Sequence, residues 1–71
     1  MTDQVSELES ITKHLVDVVN EHNGRYDKSK ALLAAARRAN VSISQMSYVL
    51  TYAKAERRLR TDSETSTIVA L

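Results

Sequence analysis

The 71-residue chain has no cysteine, no proline and a single glycine, at position 24. Without cysteine it can form no disulfide, thiolate zinc site or cysteine nucleophile, and a reducing compartment suits it. Three tyrosines are its only aromatic residues. With so few turn-forming residues beside them, they argue against a protein of aromatic and β-branched strands. No stretch approaches the roughly eighteen apolar residues of a membrane-spanning helix. The opening MTDQVSELES has neither the basic start nor the apolar run of a secretory signal. The expectation is a soluble, cytoplasmic protein.

A chain this short removes only about 60% of its unfolded surface from water, so it supports one small core and leaves no room for a cleft between subdomains. Small domains without metal or disulfide often gain stability by pairing, which makes a homodimer the expected assembly. Abundant alanine favours helix, and the fold class expected is all-α.

The net charge of +1 conceals a strong asymmetry. Residues 1–24 carry one basic and five acidic side chains, residues 25–60 nine and two, and residues 61–71 none and two. A polyanion would therefore meet the middle of the chain.

Val5, Leu8, Ile11, Leu15, Val18 and Val19 recur at helical spacing and predict an amphipathic helix over residues 3–22. Thr2 is its candidate cap, and Asn23-Gly24 its end. Asp27 is the expected N-cap of a second helix over 28–39, with Tyr26 packing on its first turn and Leu32, Leu33, Ala36 and Ala39 facing inward. Asn40-Val41 breaks that pattern, and Ser42 followed by Gln45 reads as a capping box opening a third helix over 43–60. This helix would have two apolar faces. One is Ile43, Met46, Val49, Leu50 and Ala53; the other is Tyr48, Tyr52, Ala55 and Leu59. The three helices form a domain over 1–60, and TDSETST followed by Ile68-Val69-Ala70-Leu71 reads as a flexible tail over 61–71.

The stretch from Leu32 to Thr51, LLAAARRANVSISQMSYVLT, resembles the helix-turn-helix superfamily of DNA-binding proteins. Ala36 fills the position where a small residue lets the second helix cross closely. Asn40 stands at the turn position most often held by glycine, and Val41 is the apolar turn residue. Met46 and Val49 are the two apolar positions that seat the second helix, with Ala35 and Ala39 fitting before the turn. The resemblance implies that helices two and three form the motif and that the third enters the major groove by its N-terminal end. Ser42, Ser44, Gln45, Ser47, Tyr48 and Thr51 would then face base edges, and Arg37, Arg38, Lys54, Arg57 and Arg58 would contact phosphates. The function implied is that of a small regulator of transcription bound to double-stranded DNA. If it dimerises, its half-sites lie about 34 Å apart or a multiple of that.

A second function class fits the same residues. Leu8, Ile11, Leu15 and Val18 on the first helix, with Tyr48, Tyr52 and Leu59, form a candidate dimer or partner interface, as in a small adaptor or inhibitor that docks through a two-faced third helix. No metal site is expected. His14, Asp17 and Glu21 share one side of the first helix, but His22 is turned away by about eighty degrees. No Ser-His-Asp arrangement or glycine-rich phosphate loop is present, so neither an enzyme nor a cofactor is expected.

Overall fold

The computed structural model describes residues 3–71, with side chains from Ser6 onward; the Thr2 cap and the Val5 side chain lie outside the described residues. Three helices, α1 (Asp3–Asn20), α2 (Lys28–Ala39) and α3 (Met46–Ala55), are joined by three short strands, β1 (Arg25–Asp27), β2 (Leu59–Asp62) and β3 (Thr67–Ala70). A single 3₁₀ turn, Ile43–Gln45, leads into α3. The strands form one antiparallel sheet in the order β1-β3-β2. Tyr26 faces Ile68 across one ladder, and Leu59 faces Ala70 across the other.

This sheet overturns the all-α expectation. Residues 61–71 are not a flexible tail: they supply the end of β2, a four-residue turn and the central strand. Nor does the third helix reach Arg60. It stops at Ala55 because Arg57 adopts a left-handed conformation (φ 60°). The Arg57 and Arg58 amides donate back to the Lys54 and Ala53 carbonyls at 3.0 Å each, which satisfies the carbonyls that a helix end leaves free. Leu59 lies at helical spacing from Tyr52 and Ala55, yet it reaches the core as the first residue of a strand, only 1% exposed.

The same closure ends the other two helices. Asn23 (φ 64°) and Asn40 (φ 57°) take the left-handed position after α1 and α2. In each case the following amide, of Gly24 or Val41, donates to the carbonyl five residues earlier, Val19 or Ala36, at 3.0 Å. Asparagine tolerates this conformation better than most residues, whereas an arginine there costs roughly 1–2 kcal/mol. Gly24 itself has φ 80°, which requires glycine. Its carbonyl accepts from the Ala70 amide at 2.7 Å, tying the α1–β1 turn to the last strand.

One core holds these elements together. Ile11, Leu15, Val18 and Val19 of α1 meet Ala31, Ala35 and Ala36 of α2, the buried face of α3 (Met46, Val49, Leu50 and Ala53), and Leu59 and Ile68 of the sheet. Alternation along the strands decides which residues enter it: Ile68 is buried while Thr67 and Val69 are only partly covered. Two expected inward residues are turned out, Leu33 at 44% exposed and Ile43 at 52%. On α2 the inward stripe is Ala31, Ala35 and Ala36, so the helix is rotated from the expected Leu32-Leu33 face. Thr12, fully buried, donates its hydroxyl to the Leu8 carbonyl at 2.7 Å. Among the described residues no buried side-chain nitrogen or oxygen lacks a partner, and no helix is long and apolar enough to cross a membrane.

Candidate nucleic-acid interface

The segment from Leu32 to Thr51 runs as helix, turn and helix. Asp27 caps α2, its carboxylate accepting from the Lys30 amide at 3.1 Å. Ala36 is 3% exposed, so only a methyl group separates the backbone of α2 from the core at that point. Asn40, in its left-handed conformation, turns the chain. The Ser42 amide then donates to Gln45 Oε1 at 3.2 Å, the half of the capping box in which the side chain three residues on reaches back.

All six side chains expected to face base edges, Ser42, Ser44, Gln45, Ser47, Tyr48 and Thr51, are exposed. Tyr48 is the most open, at 76%. Their hydrogen bonds fix what they can offer a ligand. Ser47 donates its hydroxyl to the Ser44 carbonyl at 3.2 Å, and Thr51 donates to the Ser47 carbonyl at 2.9 Å, which leaves both oxygens as acceptors. Gln45 has its oxygen engaged by Ser42, leaving the side-chain NH₂ as its outward donor; a bidentate contact to adenine would require that cap to open. Glu7 and Leu8 of α1 border a shallow depression beside Gln45 and Tyr48.

The five candidate phosphate ligands divide. Arg37, Lys54 and Arg57 are exposed and form no ion pair among the described residues. Arg38 is instead held by Glu21, its two terminal nitrogens meeting the two carboxylate oxygens at 2.7 and 2.5 Å. The guanidinium holds the Glu21 carboxyl below its ordinary range, and Glu21 raises Arg38 in return. Arg58 reaches Glu9 at 3.0 Å, and the same carboxylate accepts the Tyr52 hydroxyl at 2.7 Å. Glu9 is thereby kept below the usual carboxylate range, first by the Tyr52 hydroxyl and then by Arg58. Tyr52 is pushed up, chiefly because its hydroxyl serves as donor to Glu9. Glu21 ties the turn after α1 to the end of α2, and Glu9 ties α1 to α3 through Tyr52 and to the residue before β2 through Arg58.

A third arginine outside the expected set is also committed. Arg25 on β1 donates to Asp62, Thr65 and Thr67 at 3.3, 3.3 and 3.0 Å, fixing the β2–β3 turn against β1 and holding Asp62 below its ordinary range. Arg60, outside the expected phosphate set, is on β2 and exposed.

Of the residues expected at a dimer or partner interface, Ile11, Leu15, Val18 and Leu59 are buried in the chain's own core, and Leu8 packs against it. Tyr52 is half-buried and bonded to Glu9. Only Tyr48 of that set is left exposed, and α3 ends before the second apolar face can form. His22 stacks on Tyr26 with ring centroids 3.5 Å apart, and its Nδ1 donates to the Val18 carbonyl at 3.0 Å. Among the described residues no three His, Cys, Asp or Glu side chains are grouped as metal ligands would be.

The chain matches no protein-family model, no curated protein and no solved structure at a significant level.

Proposed function

We propose that the protein binds double-stranded DNA through the segment from Leu32 to Thr51, with the 3₁₀ turn and the first turns of α3 in the major groove, and that it acts as a small regulator of transcription. The observation that carries this reading is an exposed and, Ile43 apart, polar start to the motif's second helix, together with exposed cations that form no ion pair among the described residues. Ser44, Ser47, Tyr48 and Thr51 present exposed hydroxyls along this surface. Lys54 continues the same helix surface, Arg37 sits in the last turn before the motif's bend, and Arg57 follows α3. Charges left without partners at a solvent-exposed face suit phosphate contacts, which position a protein on the duplex while base edges specify the sequence.

The test is fluorescence anisotropy on a mixed-sequence duplex at 50 and 200 mM salt. Three phosphate contacts give a log-log slope of about −2.7, at roughly 0.9 per contact, so affinity falls about fortyfold over that interval. Absence of binding at 50 mM salt would refute the reading.

A further inference from the structure

We infer that two copies of the chain pair along the outer edge of β2, antiparallel about Thr61, so that their two three-stranded sheets become continuous. The hydrogen bonds of the sheet show which edge is open. The Leu71 amide donates to the Arg58 carbonyl at 3.0 Å, and hydrogen-bonded pairs alternate along an antiparallel ladder. Arg58, Arg60 and Asp62 therefore bond to β3, while Thr61 turns its N–H and C=O away from the sheet. On the other side the Ala70 amide donates to the Gly24 carbonyl and the Lys28 amide to the Ser66 carbonyl, which by the same alternation turns the backbone of Arg25 and Asp27 outward. That edge is closed: the Arg25 amide donates to the His22 carbonyl at 3.3 Å, and the chain enters α2 directly after Asp27. On β2, Thr61 is half-buried and Arg60 beside it is exposed.

Opposite charges flank that outward backbone. Arg60 and Asp62, two residues apart, share the outer face of the sheet, because the buried Leu59 and Ile68 take the inner one. A second copy turned about a two-fold axis at Thr61 sets each Arg60 opposite Asp62 of the other copy, in non-hydrogen-bonded pairs with Cα atoms about 4.5 Å apart, while the two Thr61 residues exchange both backbone hydrogen bonds. Charge on an edge strand ordinarily repels a second copy; this arrangement of opposite signs attracts one. Arg60 forms no ion pair among the described residues. Asp62 accepts from Arg25 through Oδ2 and from the Glu64 amide through Oδ1, and a carboxylate has about four acceptor positions, so it has room for a second guanidinium. Leu59 is 1% exposed, which ends the contact at Arg60. Pairing over so short a stretch makes a weak dimer, below roughly 1,200 Å² of buried surface.

The experiment is sedimentation equilibrium of the full chain from about 10 μM to about 1 mM, the range of weak interfaces. It contains no nucleic acid, so its outcome is independent of the proposed DNA binding. A monomer–dimer equilibrium that weakens with added salt is expected. Arg60→Glu sets like charges opposite each other twice and should raise the dissociation constant about tenfold, whereas Arg60→Lys should leave it nearly unchanged. Thr61→Pro removes an amide that points away from β3, a position where an edge strand accepts proline, and should also weaken the dimer. Arg60 is exposed, so its variants keep the fold and decide the matter even if Thr61→Pro unfolds. A chain that stays monomeric through that range, or a dimer that Arg60→Glu leaves as tight as before, would overturn the inference. An undiminished dimer in folded Thr61→Pro would overturn it as well.

Discussion

Arg37 and Arg38 are neighbours in sequence, as are Arg57 and Arg58, yet in each pair one guanidinium is engaged by a carboxylate and the other forms no ion pair among the described residues. Arg38 is clamped by Glu21 and Arg58 by Glu9; Arg37 and Arg57 are exposed without an ion pair among the described residues. Arg37 and Arg38, adjacent on α2, point about a hundred degrees apart; Arg57 and Arg58 lie past the end of α3, where the left-handed backbone at Arg57 separates them. The difference shows how a chain with nearly balanced charge keeps some cations unpaired: Glu9 of α1 and Glu21 just after it each engage one arginine and leave its sequence neighbour without an ion pair. The proposed function assigns the unpaired cations to phosphate contacts; the paired ones, being largely exposed, add little to the stability of the fold.

The largest expected effect breaks the fold that supports both sides. Ile68→Ala empties a fully buried position on the central strand and should cost about 2–5 kcal/mol, read as a lowered midpoint in urea denaturation. A mobile tail would have shown no change. Arg57→Gly sharpens the comparison by moving stability and binding in opposite directions. Glycine relieves the left-handed backbone at a smaller entropic cost, a gain of about 0.5–1 kcal/mol. The melting temperature should rise by a few degrees, while DNA affinity falls by one phosphate contact.

The smallest effect is on pH dependence. Glu9, Glu21 and Asp62 are held below their ordinary ranges by Tyr52 and Arg58, by Arg38 and by Arg25 respectively. A carboxylate whose pKa is lower in the fold stabilises it above the unfolded pKa, near 4, and that contribution is lost as pH falls through the folded value. Thermal melts should be level from neutral pH down to about 5 and decline below about 4, with Glu21→Gln flattening part of the decline. Tyr52 shifts in the opposite direction. Its contribution is present below the ordinary tyrosine pKa, near 10, and is lost as pH rises through the raised folded value. Tyr52→Phe should remove that alkaline limb.

Much of the helical half was legible because its signals are local. Asp27 as a cap, Asn40 as a left-handed stop and Ser42 with Gln45 at the next start all sit within a few residues of what they control, and α2 spans the expected 28–39. The sheet was not legible. Its strands are three or four residues long, too short for alternation to declare itself, and no glycine or proline marks the end of α3. Tyr52, Ala55 and Leu59 kept helical spacing across a break that only the backbone of Arg57 reveals. At the candidate site, exposure of the six polar residues followed from the helix pattern. The division of the cations did not, because the partners of Arg38 and Arg58 lie seventeen and forty-nine residues away. Ile43 was assigned to the apolar face on a hundred-degree step; a 3₁₀ turn has three residues per turn, and the tighter winding turns it out.

The most direct test of the account uses the neighbouring pair itself. Salt titrations of duplex binding by Arg37→Ala and Arg38→Ala, each against the unaltered protein, compare a free guanidinium with a clamped one. The account predicts that Arg37→Ala lowers the log-log slope by about 0.9 and that Arg38→Ala leaves it unchanged. Equal losses from the two, or no change from Arg37→Ala, would contradict it.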